Sequence, residues 1–133
     1  NALPSVNITA VTILTSLSNS DVSAIGFTSD ALTSAVGLAQ LATTAGARAI
    51  VCSPLEVSAI RSQLGKTPIV ITPGVRPLND QGSDDQQRTM TPKEAISSGA
   101  TYVVIGRPIT GSWPQGASAM RDKARSIADE ILN

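Results

Sequence analysis

The 133-residue sequence contains no histidine. That absence removes imidazole acid/base catalysis, a Ser/His/Asp triad and His-ligated zinc together. A single cysteine, Cys52, excludes an internal disulfide and suits a reducing compartment. Aromatic residues make up only 2% of the chain, and ten basic side chains balance ten acidic ones. No electrostatic footprint for nucleic acid or an anionic membrane surface results, so any positive site must be local. Long apolar runs are missing too: the longest are strand-sized, far below the roughly 20 residues that span a bilayer. The opening "NALPSVNITA" shows no basic segment followed by an apolar one, which argues against export and for the cytoplasm.

What is present has the pattern of one α/β domain over residues 1 to 133. Four β-rich runs stand out: "NITAVTIL" (7 to 14), "ARAIVC" (47 to 52), "PIVIT" (68 to 72) and "TYVVIG" (101 to 106). None alternates cleanly, and continuous Val/Ile runs fit strands of a parallel sheet covered by helices. Helical patterns lie between and after them, at 29 to 45, 54 to 64, 92 to 98 and 114 to 132, giving the order β-α-β-α-β-α-β-α. Ser53-Pro54-Leu55-Glu56 and Thr91-Pro92-Lys93-Glu94 read as capping boxes with proline at the first helical position. Gly46, Gly65 and Gly99 read as helix stops. "GARAIVCSP" from Gly46 and "GATYVVIGRP" from Gly99 form a weak internal repeat, which favours a (β/α) barrel or related stack. Four units are half of an eight-stranded barrel, so an apolar strand face and two sheet edges need cover.

Ligands of parallel βα folds gather beyond the carboxyl ends of the strands. The first end offers the hydroxyls of Thr15 and Ser16, which also suit ordinary turns and caps. The second offers Cys52, which in an apolar run reads as a small core residue, and Ser53, a cap. The third opens a long segment, "TPGVRPLNDQGSDDQQRTMTP" (72 to 92), carrying Arg76, Gln86, Gln87 and Arg88. Such a length reads either as a loop that closes on a ligand or as a solvated loop whose Asp80, Asp84 and Asp85 neutralise its arginines. The fourth, "VVIGRPITG", places Gly106 where a backbone can approach a ligand and Arg107 where forked donors can meet an anion. Two successive Arg-bearing ends read as one phosphate pocket, against the alternative of a surface ion pair for Arg107. Two other motifs carry no weight. "GKT" (65 to 67) has Ile60 where a P-loop needs glycine, and "NIT" (7 to 9) lies in an expected buried strand.

"VTILTS", "VCSPLE", "ITPGVRP", "DDQQRTMTP" and "YVVIGRPIT", in that order and spacing, resemble the C-terminal half of the orotidine 5'-phosphate decarboxylases. The resemblance covers essentially the whole chain. It implies the C-terminal half of a (β/α)8 TIM barrel, strands 5 to 8 with their helices, the N-terminal half being absent from this chain. It further implies an enzyme that converts orotidine 5'-phosphate to UMP and CO2 in pyrimidine synthesis without metal or cofactor, usually as a homodimer. By the same resemblance Ser16 contacts the pyrimidine, Gln86 reaches the phosphate, and Gly106 with Arg107 holds the phosphate dianion. Pro73, Gly74 and Arg76 belong to the family signature and are given a role in loop shape. One departure is large: the family's D-x-K-x-x-D catalytic array has no counterpart, since "DKAR" (122 to 125) lies on the expected last helix. No catalytic residue is therefore assigned in this chain, whose activity is expected to need the other half of the barrel. Two alternatives stand beside this reading: a nucleotide-binding half-barrel without turnover, and another phosphate-binding β/α-barrel enzyme.

Overall fold

A computed structural model describes residues 6 to 77 and 88 to 132. Four short strands, β1 (Thr9–Val11), β2 (Ala49–Val51), β3 (Ile69–Thr72) and β4 (Tyr102–Val103), form a parallel sheet in the order β1-β2-β3-β4. Sequential neighbours in a parallel sheet require a crossover each time. These are supplied by α1 (Asn19–Ala24) and α2 (Ala31–Thr44) after β1, α3 (Val57–Leu64) after β2, and α4 (Pro92–Ser97) after β3. Beyond β4 come α5 (Arg107–Thr110) and α6 (Ala117–Leu132). The alternating parallel α/β arrangement expected from the Val/Ile runs is the one observed.

The register explains how a sheet with so little alternation stays in place. Ala10, Ile50 and Val70 lie side by side on one face, and Val11, Val51, Ile71 and Tyr102 on the other. Ile50 and Val70 are fully buried in a core with Cys52, Ala39, Val57 and Ile60, so α2 and α3 cover the first face. The second face is bare at both sides: Val11 is 57% exposed, Tyr102 59% and Val104, two residues further on, 51%. A slip of one residue would exchange the two rows and expose Ile50 and Val70, which is why the pairing holds. A sheet with one helix-covered and one open apolar face is half of a closed structure.

Cys52 belongs to the covered face. Burial pushes its thiol up to about 12, aided by the negative charge of Glu56. The thiolate is the reactive form, so a maleimide at pH 8 should leave Cys52 unmodified in the folded chain and label it fully in denaturant. Labelling of the native chain at the denatured rate would place Cys52 outside the core.

Helix ends follow the sequence signals. Ser53 with Glu56 and Thr91 with Glu94 form reciprocal capping boxes, and proline follows each cap. The Ser53 box opens a 3-10 turn (Pro54–Glu56) that runs into α3, where the sequence pattern implies one continuous helix from 54. Gly46 and Gly99 both have φ above +100°, and the Ala47 and Ala100 amides donate back to Ala42 and Ala95. The internal repeat is thus one helix-ending motif used twice, with a third copy at Gly26-Phe27, whose Phe27 amide donates to Val22.

Two helices were not legible as such. α1 is capped by Ser18, which exchanges hydrogen bonds with Asp21, in a stretch whose serines read equally well as a turn. α5 begins directly after Gly106 inside a segment that reads as strand and loop. At the amino ends of β3 and β4, Arg61 acts as a brace. It donates to the carbonyls of Gly99 (2.8 Å), Pro68 (2.8 Å) and Gly65 (3.2 Å) and to Thr101 Oγ1 (3.0 Å).

Candidate functional site

All four strands point the same way, so their carboxyl ends share one rim of the sheet. Each end turns off differently.

After β1 the chain bends through Ile13 and Leu14 into a turn at Thr15 and Ser16. Thr15 is buried and Ser16 half-buried. The turn closes with the Leu17 amide donating to the Leu14 carbonyl at 3.1 Å. Ser16 therefore sits on the rim, as its expected contact with a base requires.

At the end of β3, Thr72 is buried and Pro73 half-buried, and Gly74 takes φ +76°. A side chain at Gly74 would strain the backbone, so this glycine is a requirement of the turn itself. Val75 then pairs with Met90, and the Arg76 amide donates to the Met90 carbonyl at 2.9 Å. The two stems of the long segment are thereby joined. Arg76 is only 5% exposed, and its guanidinium donates to the Val75 carbonyl at 2.8 Å. Pro73, Gly74 and Arg76 all lie where the chain leaves the strand and meets its returning stem. Gln86, with Asp80, Asp84 and Asp85, lies outside the described residues.

Arg88, on the returning stem of that segment, carries more than its place in the sequence suggests. Its guanidinium pairs with the Glu56 carboxylate through Nη1 and donates from Nη2 to the carbonyls of Leu14 (2.8 Å) and Ile13 (3.4 Å). The Arg88 carbonyl accepts a hydrogen bond from Ser53 Oγ at 3.4 Å. One side chain thus ties the returning stem of the β3 segment to the exits of β1 and β2. For Arg88 the neutralising acid is therefore Glu56, where the solvated-loop reading had used the aspartates of its own segment. Glu56 is 1% exposed and also accepts from the Ser53 amide at 2.9 Å. Burial pushes its carboxyl above the ordinary carboxylate range, while the charge and hydrogen bond of Arg88 and the Ser53 amide pull it back. The signal for this was present: Glu56 precedes Val57 and Ile60, both fully buried, on the inward side of its helix. The capping box accounts for Glu56 correctly but only in part.

At the end of β4, Gly106 caps α5 and Arg107 is its first residue, both exposed. Gly106 has φ −102°, and a Cβ built on it would meet nothing within 4 Å. The fold itself makes no demand for glycine there. Open space beside an exposed backbone, followed at once by a guanidinium, is what close approach of an anion calls for. The sheet order brings this exit next to the β3 exit, and Arg88 carries the β3 segment on to β1.

Comparison with known proteins gives a consistent outcome. The profile of the orotidine 5'-phosphate decarboxylase / HUMPS family matches residues 2–121. A protein of Wolbachia pipientis subsp. Culex pipiens named orotidine 5'-phosphate decarboxylase is 47% identical over 114 residues, covering 86% of this chain and 50% of that relative. One of the same name from Frankia casuarinae is 47% identical over 118 residues, covering 89% and 43%. Among solved structures, orotidine 5'-phosphate decarboxylase from Lactobacillus acidophilus superposes with a TM-score of 0.73 at 32% identity, over 96% of this chain and 50% of the other. The chain spans about half the length of the relatives it matches.

Proposed function

The chain belongs to the orotidine 5'-phosphate decarboxylase / HUMPS family, and from that premise we propose that it supplies the phosphate- and pyrimidine-binding half of an orotidine 5'-phosphate decarboxylase. The observation that carries the proposal is the rim itself. Ser16 at the β1 exit and Gly106-Arg107 at the β4 exit stand at opposite sides of one sheet end, and the β3 segment between them has its stems joined by the Val75–Met90 pair and is tied to the β1 exit by Arg88. A nucleotide with its base toward Ser16 and its phosphate toward Arg107 would lie along that rim. Gln86 is the further phosphate contact that the family resemblance implies. Binding the phosphate, remote from the reacting carbon, can hold the segment in place and contribute at the transition state.

The chemical centre lies elsewhere in this reading. The Asp/Lys array of the family has no counterpart in the sequence, and the open face bearing Val11, Tyr102 and Val104 is apolar and unpaired with any described element. The partner that completes both is the N-terminal half of the barrel, whose strands would pair with the outer edges of β1 and β4. Decarboxylation of orotidine 5'-phosphate to UMP and CO2 in pyrimidine synthesis is the activity of the completed barrel, working as a cytoplasmic homodimer. Among the described residues, no helix is long and apolar enough to cross a membrane.

The test is calorimetric titration of the 133-residue chain with UMP, followed by an absorbance assay of orotidine 5'-phosphate before and after adding a separately produced N-terminal half. UMP binding by the chain, with turnover only on addition, is expected. UMP and ribulose phosphates binding equally well would remove the pyrimidine from the assignment. Within this reading Gln86→Ala should weaken UMP binding by about 1.5 to 3 kcal/mol, the range for a hydrogen bond to a charged group, and leave the melting temperature unchanged. A large fall in melting temperature would make Gln86 a structural residue.

A further inference from the structure

From the β1 exit we infer that Arg88 is a positioning residue for base recognition: its guanidinium fixes the turn that carries Ser16, and so sets how well the chain tells a nucleotide from a bare sugar phosphate. What is recognised rests on the nucleotide-site reading, and the fixing of the turn on the structure alone.

The sheet does not reach far enough to hold Ser16. β1 ends at Val11, and the chain is last tied to β2 at Thr12, whose amide and hydroxyl both donate to the Val51 carbonyl at 3.0 Å. Side-chain packing continues for one more residue: Ile13 is buried against Val22, Ala31 and Ala35, whereas Leu14 is 55% exposed. From Leu14 onward the main chain is held by polar contacts. The Leu14 carbonyl accepts from the Leu17 amide at 3.1 Å, which closes the turn around Thr15 and Ser16, and from Arg88 Nη2 at 2.8 Å. The same nitrogen lies 3.4 Å from the Ile13 carbonyl. Downstream, Ser18 caps α1 through its exchange with Asp21. Ser16 thus stands between two fixed points, and the upstream one is the carbonyl that Arg88 grips.

The guanidinium is itself aimed. Nη1 is committed to the buried Glu56 carboxylate and the Arg88 side chain is 13% exposed, so Nη2 has little freedom of direction. Bridging a carboxylate and two carbonyls takes a planar fork, which an ammonium group cannot reproduce. If only stability were needed, a buried apolar contact of similar volume would serve as well or better. A directional charge pair that ends on the carbonyl of a site turn fixes geometry instead. Neither Arg88 nor Glu56 touches the nucleotide in this arrangement. Their effect reaches the base through Leu14 and Ser16.

Arg88→Lys keeps the charge and removes the fork, which makes it the informative variant. Calorimetry on the 133-residue chain with UMP and with ribose 5-phosphate separates the base from the rest of the ligand. UMP affinity should fall at least tenfold in the variant and ribose 5-phosphate affinity less than twofold, since Arg107 stands at the other side of the rim. Equal losses for the two ligands would make Arg88 a general brace and overturn the inference, and so would a variant that binds both as the parent chain does. The second readout is coupling: Ser16→Ala should cost at least tenfold in UMP affinity in the parent chain and less than twofold in the Arg88→Lys background. Equal costs in the two backgrounds would show that Arg88 does not act through Ser16. Amide hydrogen exchange reads the turn without ligand, and Leu17 should exchange at least tenfold faster in the variant, with Ile69 and Thr101, at the opposite end of the sheet, unchanged. Should Ile69 and Thr101 lose protection as well, Glu56→Gln takes the place of the lysine variant, with the same split between ligands expected. It keeps an acceptor for the Ser53 amide and removes the carboxylate that aims Nη1. A parent chain that binds UMP no better than ribose 5-phosphate would sink the base reading and the role of Arg88 in it, whereas an unchanged Leu17 would sink the fixing of the turn alone.

Discussion

Arg107→Ala should weaken UMP binding by about 2 to 4 kcal/mol, roughly 30- to 900-fold, and leave uridine binding within twofold of the parent chain. The size follows from the chemistry of the contact. A phosphate dianion is strongly hydrated and gives up water only to donors that are already aimed, and a guanidinium offers two parallel N–H groups from one rigid plane. Arg107 stands at the first position of α5, exposed, with the open space of Gly106 immediately before it. Being exposed, it contributes little packing, so its removal should not lower the melting temperature by more than a degree or two. The uridine control separates charge recognition from everything else: an arginine that merely shaped the rim would affect nucleoside and nucleotide alike. Equal losses for the two ligands would therefore remove the phosphate from Arg107. Raising salt gives an independent check, since an exposed phosphate contact weakens as the Debye length shrinks while contacts to the base do not.

How the rim was legible from sequence depends on what kind of signal each residue gives. Strand and helix order was readable because Val/Ile runs, capping boxes and helix-ending glycines are local. Gly74 was readable for the same reason: a glycine between a proline and a valine at a strand end announces a turn, and its φ of +76° is that turn. The family resemblance supplied Ser16, Gly106 and Arg107, and the fold puts all three at strand exits on one rim. The two rows of the sheet, by contrast, could be told apart only by pairing, because an unbroken run such as "IVIT" does not say which side faces the helices. Arg61 escaped notice, and Arg88 was read only as part of a closing or solvated loop, because an arginine in sequence looks solvated. Their roles depend on main-chain carbonyls roughly 40 and 75 residues away in the chain, which no local pattern encodes. Helix α5 escaped for a related reason: four residues and a glycine cap leave no periodicity to detect.

Removing either member of the buried pair should be strongly destabilising, and the two removals should differ in a way that pH exposes. Glu56→Ala leaves the Arg88 guanidinium without its anion and the Ser53 amide without its acceptor, in a largely buried region. A guanidinium does not deprotonate, so the uncompensated charge persists at every accessible pH. A loss of about 3 to 5 kcal/mol is expected, largest near pH 5 and shrinking toward pH 8 relative to the parent chain, because the parent's raised Glu56 carboxyl itself loses stability as pH climbs and the variant has no such group. Arg88→Ala instead strands a carboxylate, and a carboxylate has an escape in taking up a proton. Burial already holds the Glu56 carboxyl above its ordinary range with Arg88 present, and loss of the opposing positive charge removes a lowering influence, so its value in the folded variant rises further. A carboxyl whose folded value is raised above the unfolded one favours the folded state at low pH and loses that advantage as pH climbs from the unfolded value through the raised one. Arg88→Ala should therefore be least destabilised near pH 5 and progressively more so toward pH 8, each compared with the parent chain at the same pH. Urea denaturation at both pH values reads the difference directly. A flat difference for Arg88→Ala would mean that Glu56 stays ionised without its partner, so that water reaches the carboxylate and the junction is open to solvent. Slopes of the same sign for both variants would place the titrating group elsewhere. Only opposite slopes, a loss that shrinks with pH for the stranded cation and grows with pH for the stranded acid, identify a closed junction in which the charge pair itself holds the stem.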